Sequence, residues 1–87
     1  MAKHPIKITL RPYRGRKETL RQKWLQKLEL AHVVEAHIND TVRNSPNQTI
    51  VLNYATIAAD LGQSTETIRD LLFDIDGGYT GITIQKE

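Results

Sequence analysis

Cysteine is absent from this 87-residue chain, which excludes disulfide bonds and thiolate metal sites. No apolar run approaches the roughly 18 residues that a membrane-spanning helix needs. The first residues carry cations but no apolar stretch with a small-residue cleavage site, so we expect no secretory signal. A hydrophobic fraction of 39% and a charged fraction of 25% are typical of a soluble globular protein. We therefore expect a single domain in a reducing compartment, the cytoplasm.

Acidic residues are nearly missing from the first 27 positions, which hold nine lysines and arginines and one glutamate. The formal charge of this part is +8, whereas the remaining 60 residues, with three cations and nine acids, carry −6. Such asymmetry favours contact with nucleic acid or with another charged surface. The alternative is a solvated basic arm that only keeps the protein in solution.

Glycine and proline are also missing between residues 17 and 44, where apolar residues recur at steps of three and four. The positions in this stripe are Leu20, Trp24, Leu28, Ala31, Val34, Ile38 and Val42. The spacing predicts one amphipathic helix, with Thr19 and Gln22 as a capping box at its start. A helix of about 35–40 Å is longer than one small domain needs. Either a second copy covers its other apolar side chains, giving a homodimer, or the helix breaks near residue 27.

Three short runs have the alternation of β-strands. Residues 6–10 alternate apolar and polar side chains between two prolines, which predicts a strand at a sheet edge. Residues 49–53 form a second β-rich run, and Asn53 is placed to cap a following helix. After a turn at residues 76–78, Ile82 and Ile84 alternate in a third strand within residues 79–85.

Residues 54–72 predict two short helices joined by a tight corner. Gly62 follows the first helix, where a left-handed backbone conformation often ends a helix. Ser64 is a good N-cap for the second helix, with Glu66 favourable in its first turn. The apolar stripe of the second helix consists of Ile68, Leu71, Leu72 and Ile75.

This corner resembles the winged helix-turn-helix domains of bacterial and phage transcription regulators. Their motif has a small residue in the fifth place, glycine in the ninth, and apolar residues in the fourth, eighth, fifteenth and eighteenth. Counted from residue 54, these places are filled by Ala58, Gly62, Ile57, Leu61, Ile68 and Leu71. The resemblance implies an α+β fold, mainly helical, with a three-helix core, a long first helix and a short C-terminal wing. The winged helix-turn-helix domain would occupy residues 17–87, after a basic arm with a short strand in residues 1–16.

The resemblance also implies a function, which is sequence-specific or architectural binding of double-stranded DNA by a small transcriptional regulator. In such domains the second helix of the motif, here residues 64–75, enters the major groove. The positions that would face bases are Gln63, Ser64, Thr65, Glu66, Thr67 and Arg69, and Tyr79 would lie at the wing tip. Phosphate contacts would come from the cations Arg14, Arg16, Lys17 and Arg21.

The outward face of residues 64–75 supports an alternative. Glu66, Asp70 and Phe73 share this face, and the two carboxylates would repel the phosphates of DNA. Gln63 also stands where many motifs have an apolar residue, and the wing carries no cation. The alternative is a non-catalytic winged-helix module that binds a protein partner or a second copy through this face.

Enzymatic chemistry has no support in the sequence. The carboxylates are scattered or lie along one helix face, and no serine, histidine and acid have the spacing of a nucleophilic site. His32 and His37 are five residues apart, which is off the face that two helical metal ligands usually share. We therefore expect no catalytic activity, no cofactor and no metal.

Overall fold

The computed structural model describes residues 2–76 and 78–86, with the side chain of Asp76 left aside. Its elements are β1 (Ala2–Lys3), α1 (Glu18–Asn44), β2 (Thr49–Asn53), α2 (Tyr54–Leu61), α3 (Thr65–Asp76) and β3 (Gly81–Gln85). The predicted α+β class is confirmed, since the described residues combine three helices with a mixed three-stranded sheet. Part of the turn predicted at residues 76–78 lies outside the described residues.

Helix α1 is continuous over 27 residues, so the alternative of a break near residue 27 is wrong. Its buried residues are Ala31, Val34, Ile38 and Val42, from the middle of the helix to its C-terminal end. The predicted capping box at Thr19 is also wrong, because the helix begins at Glu18 and Gln22 Nε2 donates to Glu18 Oε1 instead. None of the helices in the described residues combines the length and the apolar character needed to cross a membrane.

The strand predicted for residues 6–10 is not a strand, and β1 lies earlier, at Ala2–Lys3. The predicted alternation is nevertheless present, because Ile6 is buried and Ile8 and Leu10 pack against the core. Their backbone bonds to α1 rather than to the sheet: Ile6 N–H donates to Asn39 Oδ1 (2.9 Å) and Asn39 Nδ2 donates to Ile6 O (3.0 Å). Farther along, Ile8 N–H donates to Glu35 Oε1 (2.7 Å).

The predicted corner between α2 and α3 is confirmed in detail. Asn53 caps α2 by accepting from the Ala55 N–H (2.8 Å). Gly62 ends α2 with φ 67° and ψ 34°, the left-handed conformation that glycine adopts most easily. Ser64 Oγ accepts from the Thr67 N–H (3.2 Å) at the start of α3. These caps satisfy backbone groups that a helix end leaves without partners, so local sequence sets the corner.

Strand β3 is the central strand of the sheet, between β1 and β2. It runs antiparallel to β2, with Ile84 opposite Ile50 and Ile82 opposite Leu52, and parallel to β1, with Ile84 opposite Ala2. The segment predicted as a C-terminal wing is therefore one strand of this sheet and forms no separate hairpin within the described residues. Its alternate isoleucines are fully buried, because one face of the sheet covers the core formed with the three helices.

Tyr54 joins the sheet to the corner. Its side chain is fully buried, and its hydroxyl donates to Gly78 O (2.9 Å). Its backbone N–H donates to Thr80 O (2.9 Å). A Cβ on Gly81 would lie 2.2 Å from Leu52 O, so only glycine allows β3 to start this close to β2. The first residue of the motif thus holds the loop that leads into β3.

Candidate nucleic-acid interface

The N-terminal segment, defined here as residues 6–17, runs antiparallel to α1 toward its N-terminus. Beyond Ile6 and Ile8, which bond to the middle of α1, Trp24 Nε1 donates to Arg11 O (2.8 Å). Tyr13 Oη then donates to Lys17 O (3.2 Å), so the basic loop closes onto the start of the helix. The cations of this loop are thereby gathered at the end of α1 that projects from the core.

The four predicted phosphate-binding cations lie together in this region and are all exposed. Arg14, Arg16 and Lys17 form no ion pair with any described residue. Arg21 contacts Glu18 across 3.8 Å, but both side chains are more than half exposed, so this pair is weak. The charge of this cluster is therefore available to a polyanion.

The predicted base-facing residues divide into two groups at the start of α3. The hydroxyls of Ser64 and Thr67 bond to each other across 2.7 Å, and Ser64 also caps the helix. Gln63 and Thr65 are exposed, and no described residue bonds to their side chains. Their polar groups are thus free to meet a ligand, whereas Ser64 has a structural role.

A groove of about 490 Å³ joins the start of α3 to α1. The α3 side is formed by Gln63, Thr67 and Asp70, and the α1 side by Gln26, Lys27 and Leu30. Lys27 is six residues from Arg21, which corresponds to about 9 Å along the helix axis. The groove therefore connects the corner to Lys27, whereas Arg21 lies about 120° around the helix from Lys27.

Acids of α3 face a second groove rather than open solvent alone. Asp70 and Asp74 line this groove of about 580 Å³, together with the cations Lys7, Arg11 and Lys27. Opposite charges near one another reduce the repulsion that the acids would exert on a polyanion. Sequence reasoning missed this arrangement, because the three cations come from different parts of the chain.

The remaining predicted residues have different exposures. Arg69 is half-buried, Glu66 is exposed, and Tyr79 is 80% exposed at the bend before β3. Phe73 is 45% exposed, so the described residues leave much of its ring uncovered. This exposed phenylalanine, on the same face of α3 as Glu66, is the feature on which the alternative protein-binding hypothesis depends.

The exposed apolar side chains of α1 do not form one stripe. Leu20 is 45% and Val33 is 51% exposed. They are 13 positions apart, and at about 100° per residue they point about 140° away from each other. The expected homodimer through α1 therefore stays a prediction.

Comparison with family models, with curated proteins and with solved structures gives no match.

Proposed function

We propose that this chain is a small double-stranded-DNA-binding protein of the winged-helix type, with a role in transcriptional regulation. The start of α3 contacts bases, and the side chains of Gln63, Thr65 and Arg69 reach into the major groove of the DNA. The N-terminal segment and the start of α1 contact phosphates. The observation that most directly supports this assignment of base and phosphate contacts is that Gln63 and Thr67 line the same groove as Lys27 of α1.

Charge supplies most of the affinity in this proposal. Arg14, Arg16 and Lys17 are exposed and unpaired among the described residues, so phosphates can replace water around them without breaking ion pairs. Neutralised phosphates release condensed counterions, which makes the binding constant fall with salt. The capped corner supplies a rigid scaffold, because both helix ends that meet there have their backbone groups bonded.

The experiment is a salt series of binding to a labelled duplex of mixed sequence, followed by fluorescence anisotropy. Arg16→Gln should lower the slope of log affinity against log salt by about 0.9, the value for one phosphate contact. Arg43→Gln is the matched control, because Arg43 is exposed at the far end of α1 and pairs with Asp40. The control should leave the slope unchanged.

Base contacts are tested separately with duplexes that the wild-type protein selects from a random pool. Thr65→Ala should weaken binding to those duplexes and leave the salt slope unchanged, because a base contact releases no counterions. Thr65 is preferable to Ser64 here, since Ser64 also caps α3. Folded protein that shows no salt-sensitive binding at low ionic strength would falsify the proposal.

Phe73 supports a second candidate, a protein-binding module. Its ring is 45% exposed on a face shared with Glu66, and exposed aromatic rings are frequent anchors of interfaces. Phe73→Ser distinguishes the two candidates in the same anisotropy series. DNA binding by the wild type that Phe73→Ser leaves unchanged fits the DNA-binding proposal. A wild type that binds no DNA, together with a variant that loses self-association or a protein partner, fits the protein-binding module.

A further inference from the structure

The larger groove has three walls from distant parts of the chain. The N-terminal segment contributes Lys7, Thr9, Leu10 and Arg11, helix α1 contributes Trp24 and Lys27, and α3 contributes Asp70, Leu71, Asp74 and Ile75. Its volume of about 580 Å³ is within the range of sites that hold small organic ligands. It adjoins the smaller groove, because Lys27 and Asp70 line both. The exposed cations Arg14, Arg16, Lys17 and Arg21 and the side chains proposed to contact bases do not line it.

The charges of the groove are separated by wall. Every cation comes from the N-terminal segment or α1, whereas both acids come from α3. The ion pairs among the described residues involve other side chains, so no ion pair closes the groove. The site therefore presents a positive wall and a negative wall that can each bind one end of a ligand.

All three elements of the groove also contribute apolar side chains. Leu10, Leu71 and Ile75 pack against or belong to the core, so their positions are held by burial. Trp24 is half-buried, and its indole nitrogen is occupied by Arg11 O. The ring is thereby held in the groove wall, where its apolar surface can contact an aliphatic side chain.

We propose that this groove binds a zwitterionic ligand of amino-acid or short-peptide size. The carboxylate of the ligand meets Lys7, Arg11 and Lys27, and its ammonium group meets Asp70 and Asp74. An aliphatic side chain of the ligand contacts Trp24 and the neighbouring apolar residues. A ligand that carries only negative charge would leave Asp70 and Asp74 without an opposite charge, so a zwitterion matches the two walls better.

Binding is measured without DNA, so its result is independent of the proposed DNA-binding function. The probe is the dipeptide leucyl-leucine, with N-acetyl-leucyl-leucine and leucyl-leucinamide as analogues that each lack one charge. The chain has one tryptophan, Trp24, so its intrinsic fluorescence reports on this groove. Amide NMR shifts are followed in the same titration, which detects a ligand that leaves the fluorescence unchanged.

Four variants localise the binding. Lys27→Gln removes charge from the positive wall and Asp74→Asn from the negative wall. Their matched controls are Lys23→Gln on α1 and Glu66→Gln on α3, which are exposed and do not line the groove.

We expect saturable binding of leucyl-leucine that weakens about tenfold or more when either charge of the ligand is capped, or in either groove variant. The controls should bind as the wild type does. Absence of saturable binding up to about 10 mM, which corresponds to less than about 3 kcal/mol, would overturn the proposal. Equal binding of the capped analogues, or full binding by both groove variants, would overturn it as well.

Discussion

Asn39 does for the N-terminal segment what a neighbouring strand does in a sheet. Its amide group has the same donor and acceptor as a peptide unit, and it bonds to both the N–H and the C=O of Ile6. Ile6 can therefore be buried against α1 without leaving backbone groups unpaired. The Asn39 side chain thus allows an extended segment to pack against a helix, with its backbone groups hydrogen-bonded.

We expect Asn39→Ala to lower the free energy of unfolding by about 1–3 kcal/mol, because it leaves buried backbone groups of Ile6 without partners. Urea denaturation followed by circular dichroism measures this change. Asn44→Ala is the matched control, since Asn44 is exposed at the end of α1 and forms no side-chain bond with a described residue. Equal destabilisation by the two substitutions would contradict the assigned role of Asn39.

At the scale of elements, the corner between α2 and α3 depends on the conformation of one residue. Gly62 has φ 67°, and its backbone N–H bonds to the end of α2. A Cβ at this position would meet no atom within 4 Å, so substitution brings backbone strain without a steric clash. The loss in the free energy of unfolding that a side chain causes there therefore measures the strain of the left-handed conformation.

Gly62→Ala should therefore reduce the free energy of unfolding by about 1 kcal/mol. Gly62→Asn should cost less, because asparagine tolerates the left-handed region better than alanine does. Thermal and urea unfolding of both variants give the comparison. If alanine proves as stable as glycine, the corner does not need the left-handed residue in solution.

Helix α1 shows what helical periodicity predicts well and what it leaves open. The stripe at steps of three and four predicted the helix, and its members Ala31, Val34, Ile38 and Val42 are buried. The same stripe includes Leu20, which is 45% exposed. Periodicity identifies a face, but it carries no information on how much of that face other elements cover.

On the scale of the whole molecule, α1 extends beyond the core that anchors it. The molecule measures 46 × 24 × 21 Å, and the buried residues of α1 begin only at Ala31. The N-terminal half is held by the N-terminal segment, through bonds such as that from Trp24 to Arg11 O. This half should open more readily than the C-terminal half, because fewer of its side chains are buried.

Hydrogen exchange in dilute protein should therefore be about tenfold or more faster for amides of residues 22–27 than for those of residues 34–42. Mass spectrometry or NMR measures both ranges in one sample, so the C-terminal half serves as the internal control. Uniform protection along α1 would contradict this expectation. Repeating the measurement at higher protein concentration tests the predicted homodimer, which would protect the N-terminal half.

Sequence alone determined the features that depend on neighbouring residues. The caps at Asn53 and Ser64, the glycine corner and the alternation of Ile82 and Ile84 all follow from local backbone geometry. Tertiary structure decided where each element lies. The strand nearest the N-terminus is β1 rather than residues 6–10, and β3 lies between two strands. Lys7 and Lys27 line the same groove as Asp74. These outcomes depend on pairing and packing between residues far apart in the chain, which local patterns do not specify.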